Sequence, residues 1–426
     1  MMDKLVIKGG TIVDPINQSV EKKDLYVRDG LFLDLNEEIN EKECTIISAD
    51  KKYILPGLID LRCHLRQPGI SFRKSIEAIG EKALSGGYTS ILAMPALSAW
   101  ADNPETIRYL QDSILNTNDI NIYLSGCLTL SAEGSRLAPL GSLKEAGIVA
   151  VSDCPNSPQD NQIFYKAVEY ASMFDLPIIE LPRDYSTSPD ASAHESLLSL
   201  KMGLKGSPRI SEELFVQRAI LVAKYSGARI HLSSVSSKGS VEMIKKAKEE
   251  KVEISCDVTS NHLFHTEEKI KTFDSLSKAY PPFREEEDRR ELIRGIRQDI
   301  IDAVSTGHQP FGFHHKSREF DLAPAGTIGL ENSLLQFLEI IELGEEEALL
   351  TATKKLSENP AKILGIDHGS FRKGYSADFL IYDPKKTTII KRSKKETGGC
   401  NLPFDEKEFK GSIEKTFVGG KCLYNN

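Results

Sequence analysis

Pro56-Gly-Leu-Ile-Asp-Leu-Arg-Cys-His-Leu-Arg-Gln-Pro-Gly69 is the stretch from which the rest of the chain can be read. Leu58 to Leu61, apolar except for Asp60, form a short run of the kind found in strands buried on both faces. Arg62 and His64 follow two positions apart. Side chains alternate along a strand, so these two project to one side and Cys63 to the other. A pair of inward residues at the C-terminal end of a strand is where a metal site in a barrel begins. Here one of the pair is arginine, which keeps its proton and does not ligate metals.

Beyond Pro56, apolar strand candidates alternate with longer amphipathic stretches. The strand candidates are 57–63, 90–95, 121–126, 148–153, 177–181, 229–234, 253–258 and 302–306. Helical patterns lie over 73–85, 104–116, 160–174, 212–226, 238–250 and 285–298, with start signals at Asp102-Asn103-Pro104 and Ser211-Glu-Glu213. Gly86-Gly87 and Gly227 sit where helix C-terminal caps belong. Eight buried strands with crossover helices predict a (β/α)₈ barrel, whose reacting groups stand at the strands' C-terminal ends. Residues 309–326 read as a long loop after the eighth strand, and helical patterns follow over 330–342 and 345–357.

Both ends of the chain have a different rhythm. Leu5–Ile7, Thr11–Val13, Leu25–Val27, Leu31–Leu33 and Thr45–Ile47 are short β-like pieces punctuated by Gly9-Gly10, Asp29-Gly30 and Asn36. The β signature returns at Asp378–Asp383, Thr388–Ile390 and Lys415–Tyr424, with Gly419-Gly420 marking a hairpin. The expected division is 1–55 and 361–426 as two parts of one small β module, with 56–360 as the barrel.

The 426 residues are 40% hydrophobic and 27% charged, as in ordinary globular proteins, and the net charge is −8. That balance argues against nucleic acid or an anionic membrane as the main partner. No apolar run approaches the length of a membrane span, and Met1–Gly10 has no signal-peptide core. The seven cysteines are scattered, with no CxxC pair. These features lead to an expectation of reduced thiols and a cytoplasmic location.

Further motifs carry a resemblance to a known family. They are Pro56–Asp60 with His64-Leu-Arg66 and Pro68-Gly69, Gly86-Gly-Tyr-Thr89, Ala93-Met-Pro95 and Leu143–Gly147. Asp257-Val-Thr259, Pro281-Pro282, Thr327–Glu331, Asn359-Pro-Ala-Lys362, Gly374 and Ala377-Asp378 continue the pattern. Together they make the chain similar to dihydroorotases of the amidohydrolase superfamily, close to the long bacterial type. The resemblance implies an amidohydrolase-type TIM barrel with a β-sandwich module built from both chain ends. It also implies zinc on barrel side chains and hydrolysis of the ring amide of dihydroorotate.

The resemblance assigns six metal-site positions to this sequence, and most hold the wrong chemistry. His64 and Asp153 survive as relics of metal ligands. Arg62, Leu181 and Ser234 stand where the family has histidines, and Gly307 replaces the general acid/base, leaving no catalytic residue to name. Arg66, which pairs with the substrate carboxylate in the family, is present, but its partner asparagine is Ala96 and a later histidine is Phe311. The expectation is therefore a pseudoenzyme of pyrimidine biosynthesis that needs no cofactor. It would form a homo-oligomer and act as scaffold or partner of aspartate transcarbamoylase. The alternative is an active zinc-dependent cyclic amidohydrolase with an unconventional metal site.

Several readings concern single groups. Arg62 is expected to pair with Asp153, because a buried guanidinium needs a counter-charge. His64 is read as structural. Cys154, Glu180, Cys256, Asp257, His262 and His308 lie near strand ends and are the groups from which a rebuilt site would be made. His314-His315 reads as a solvated pair, and Glu285–Asp288 as a helix start favoured by the macrodipole.

Overall fold

A computed structural model describes residues 4–35, 44–97, 99–117, 120–393 and 397–426. Asn36 lies outside them. The eight barrel strands are Leu58–Cys63, Tyr88–Ala93, Asn121–Gly126, Ala150–Val151, Ile178–Glu180, Ile230–Leu232, Ile254–Thr259 and Ala303–Ser305. They form one parallel sheet in chain order. The barrel closes through a bridge between Cys63 and His308, where the His64 amide donates to the His308 carbonyl at 2.8 Å.

Alternation along these strands sorts the apolar residues into two layers. Ile59, Leu61, Leu92, Ala150, Ile179 and Ala303 pack together inside the barrel. Leu58, Ile91, Val151, Ile178 and Val304 face the surrounding helices. Those helices include Phe72–Ser85, Pro104–Leu115, Asn161–Ser172, Ile210–Ser226, Lys238–Glu249 and Glu286–Arg297. Asn103 caps its helix by accepting from the Thr106 amide, and Ser237 caps the helix it precedes through Ser240. The start signal at Ser211 falls one residue inside its helix, which opens at Ile210 after Arg209.

Strands from both chain ends share a six-stranded sheet. Phe379–Lys391 pairs with Tyr53–Pro56 on one side and Glu406–Val418 on the other. A second sheet has the four strands Lys4–Lys8, Leu25–Arg28, Leu31–Phe32 and Thr45–Ser48. Ile7, Leu25, Phe32, Ile54, Phe379 and Phe417 fill the space between the two sheets as a separate core, which gives the sandwich. Where the sequence suggests two short strands at 378–383 and 388–390, the structure has one, with a register shift between Asp383 and Thr387. Pro384 cannot donate to the ladder and sits at that irregularity, where a strand tolerates it.

The loop after strand eight contains one short helix, Phe313–Lys316. Its hold on the barrel comes from two lysines. Lys316 Nζ is buried and donates to the carbonyls of Ser275, Pro324 and Gly326. Lys278 Nζ donates to those of Phe320, Asp321 and Ala323. Among the described residues no helix is long and apolar enough to cross a membrane, and all seven cysteines are unbridged.

Candidate functional site

At the C-terminal end of the barrel the Arg62 side chain turns inward and is only 1% exposed. Its Nη1 donates to Ser234 Oγ at 2.7 Å and to the Tyr280 carbonyl at 3.2 Å. The expected Arg62–Asp153 ion pair does not form. Asp153 Oδ1 instead accepts from the amides of Leu128 and Thr129, both at 2.9 Å, and Oδ2 accepts from the Thr129 hydroxyl. The reason is local: the loop following strand three brings three donors to the carboxylate, which satisfies both oxygens without a cation. Burial still pushes Asp153 up to about 6, with the Thr129 and Leu128 bonds pulling the other way.

His64 shares the Arg62 face, as the alternation predicts. Its Nε2 lies 3.9 Å from Cys154 Sγ. Burial, and then the Arg62 charge, push its pKa down to about 3, so the imidazole is neutral. Burial raises the Cys154 thiol, and the adjacent Arg62 moderates that rise. His308 is wholly buried beside the barrel closure, with its Nε2 unpartnered.

The other candidate groups are dispersed. Glu180 accepts from Ser157 and from Arg218 at 2.8 Å. Cys256 Sγ faces the Ile300 carbonyl on the barrel's outer side. Asp257 accepts from His231, Ser305 and the Ser234 amide, tying strands six to eight together. Arg66 is exposed, Phe311 is buried, and the tilted rings of His314 and His315 lie 3.8 Å apart on a short helix where a loop is expected. Glu286–Asp288 do begin a helix, and Arg209 additionally gathers Glu285, Glu287 and Asp288.

These residues do not fit a zinc ion held as the resemblance implies. Such a site needs three or more converging imidazole, thiolate or carboxylate ligands. Here a guanidinium fills the place of one ligand, Leu181 is apolar, and both Asp153 oxygens already accept protein hydrogen bonds. Gly307, where the resemblance puts the general base, has φ +58°, and a Cβ there would lie 2.8 Å from the Thr259 methyl, so the position has no room for a side chain without a shift of Thr259. Among the described residues one trio lies at ligating distance, His194, Glu285 and Asp288. Arg209 bonds both carboxylates, and Arg284 donates to His194 Nδ1 at 3.1 Å, so the trio faces two cations already.

The sequence reading did not single out Arg183, Arg284 or the Tyr280 carbonyl, and it took Glu212 only as part of a helix start. They line a cleft with Leu181, Ser234 and Pro281-Pro282. Pro281-Pro282 marked the neighbourhood, but no spacing pattern connects Arg183 to Arg284.

His262 gives a pH signature for this end of the barrel. Its Nε2 donates to the Pro281 carbonyl at 2.9 Å, so Nδ1 accepts from the Thr259 hydroxyl. Burial pushes its pKa down to about 4. The unfolded chain binds a proton at this residue below about pH 6.5, and the folded protein does so only near pH 4. The group's contribution to stability is complete above the unfolded value and is lost as pH falls from about 6.5 toward 4. A His262→Gln variant is expected to lose less stability than wild type between pH 7 and 5 in denaturant titrations. Parallel losses in the two proteins would refute this assignment.

The eight parallel strands, the helical layer and the two-ended sandwich define the chain as an amidohydrolase-type barrel. Solved structures share this fold. The L-hydantoinase (dihydropyrimidinase) of Arthrobacter aurescens superposes with TM-score 0.86 at 20% identity, covering 100% of this chain and 96% of that one. The dihydropyrimidinase of Brevibacillus agri gives 0.85 at 19%, covering 99% and 95%. The Dihydro-orotase-like family model matches residues 51–240. The dihydroorotase of Pelotomaculum thermopropionicum is 35% identical over 99% of this chain and 98% of its own length. That of Acetivibrio thermocellus is 33% identical over 98% of each. The chain belongs to the dihydroorotase-like family.

Proposed function

We propose that this chain is a dihydroorotase-like protein of pyrimidine biosynthesis that performs no hydrolysis and serves as a docking partner of aspartate transcarbamoylase. The observation that carries the reading is the Arg62 guanidinium, which bonds Ser234, both at positions where the resemblance puts metal ligands. A surface suited to a partner supports it. Helix Ile210–Ser226 exposes Ile210, Leu214, Leu221 and Tyr225 along one face, although its opposite face already packs on the barrel. Exposed apolar residues aligned in this way are a feature of protein interaction sites. The identity of the partner rests on the family resemblance, and self-association is a second use for the same face.

Two measurements test the proposal. Protein purified with zinc present and then dialysed is expected to retain well under one zinc per chain by elemental analysis. One or two retained ions would favour the active zinc-dependent hydrolase instead. Aspartate transcarbamoylase from the same cell, co-expressed with this chain, is expected to co-elute with it through an interface of about 1,600 Å² or more. Leu214→Glu combined with Leu221→Glu should separate the two proteins. Independent elution of the wild-type proteins at micromolar concentration, with neither altering the other's melting temperature, would remove the docking reading.

A further inference from the structure

Strands six and seven begin with a polar layer at the end of the barrel opposite Arg62. Ser255 and Asp257 stand two positions apart in Ile254–Thr259, so their side chains share a face. His231 of strand six is in register with Ser255, and its ring spans the two. Nδ1 lies 2.9 Å from Ser255 Oγ, and Nε2 lies 2.9 Å from Asp257 Oδ2. The other Asp257 oxygen accepts from the Ser234 amide and the Ser305 hydroxyl, which fixes the carboxylate. Burial would raise its pKa, but the His231 contact and these two bonds outweigh burial and hold the carboxyl below its usual range. An ionised carboxylate can only accept. The neutral imidazole therefore carries its proton on Nε2 and presents Nδ1 to the Ser255 hydroxyl as an acceptor.

A serine hydroxyl bonded to an imidazole that a carboxylate orients is the arrangement that activates serine toward an acyl carbonyl. Fully enclosed, the trio would be only a polar tie between strands. Here Ser255 is partly exposed, and with His231 it lines a cavity of about 180 Å³. Pro177, Ile230, Ile254 and Ile363 give that cavity apolar walls. We propose that Ser255 is an acyl acceptor, taking a short acyl group from a small activated ester that enters this cavity. Ser255 Oγ bonds to the carbonyl carbon while His231 Nδ1 takes the hydroxyl proton. The bond from that carbon to the ester's leaving oxygen then breaks. The proton passes to the leaving oxygen, which departs as an alcohol, and the acyl group stays on Ser255. Asp257 is the positioning residue, since it touches only the imidazole. The cavity lies below the roughly 300 Å³ at which drug-sized ligands begin to fit, so the acyl chain is limited to a few carbon atoms. The inference goes beyond the docking role and does not rest on it, because Arg62 and the altered ligand positions are at the other end of the barrel.

The full-length chain is mixed with p-nitrophenyl acetate, and the released p-nitrophenol and the acetylated peptides are followed together. A burst approaching one p-nitrophenol per chain is expected, with the acetyl group on the peptide that carries Ser255. Ser255→Ala, a small change at a partly exposed position, should keep the fold and remove both signals. His231→Asn keeps a side-chain donor for Asp257 but supplies no base, and should slow acetylation of Ser255 about 100-fold or more. Nitrogen NMR of His231 in its neutral form should place the proton on Nε2, a signature that a merely structural tie to Asp257 would not require at Ser255. The proposal is overturned if wild-type protein is acetylated only at other residues. It is equally overturned if the burst persists in Ser255→Ala, or if the neutral ring carries its proton on Nδ1. The last two readouts do not depend on the folding of His231→Asn.

Discussion

Dihydroorotate incubated with this protein and added zinc is expected to turn over no faster than in a protein-free control, in either direction of the reaction. The size of the expected loss follows from the site. A positioned general base contributes about 10² to 10⁴ in rate, and Gly307 supplies none. Changes even in groups that only orient metal ligands cost about 10–100-fold each. Replacing Arg62, Leu181, Ser234 and Gly307 together then corresponds to about 10⁴ to 10⁸, with allowance for non-additivity. Restoring one group should not rescue the activity. Gly307→Asp would place its Cβ against the Thr259 methyl at 2.8 Å and only 3.9 Å from Arg62 Nη1. The new carboxylate would pair with the guanidinium instead of activating water. Turnover in wild-type protein that vanishes in Arg66→Ala would contradict the non-catalytic reading, because a contaminating enzyme would not respond to that change.

The barrel was legible because its signals are local and repeated. Each strand is a compact apolar run between turn residues, and the observed strands begin and end within about two residues of the ranges read from the sequence. Residues 193–207, between strands five and six, gave no such signal. Their pairing, Ala193–His194 with Gly206–Ser207, is two residues long and carries no period. The site was legible as chemistry but less so as geometry. Residue type alone places Arg62 and Gly307 outside the ligating classes. What Arg62 bonds depends on where the Tyr280 carbonyl and the Ser234 hydroxyl end up, which is set by loops more than 170 positions away in sequence. The expected Asp153 partner failed for the same reason. The amides of Leu128 and Thr129 are unremarkable in sequence, but the fold aims both at one carboxylate.

The largest stability effect is expected at Glu212, which anchors the helix whose outer face we assign to docking. Its carboxylate is 3% exposed. It accepts from the Ser236 and Ser237 amides at 2.9 and 3.0 Å, from Ser240 Oγ at 2.7 Å, and from Arg284 Nη2 at 3.3 Å. These contacts join the start of helix Ile210–Ser226 to the start of helix Lys238–Glu249. Burial alone would raise its pKa, but Arg284 and the serine bonds outweigh burial and hold the carboxyl below its usual range. Glu212→Ala would leave the Arg284 charge buried without a carboxylate and orphan two amides, at a cost of about 3–5 kcal/mol. Glu212→Gln keeps the shape and should cost less, about 1.5–3 kcal/mol. Because the folded pKa is depressed, the wild-type advantage is complete above the unfolded value near 4.3 and is lost as pH falls through the folded value. Denaturant midpoints at neutral pH and below pH 4 should therefore show the gap between wild type and Glu212→Gln narrowing in acid. A Glu212→Ala protein as stable as wild type at neutral pH would mean that Arg284 finds another counter-charge.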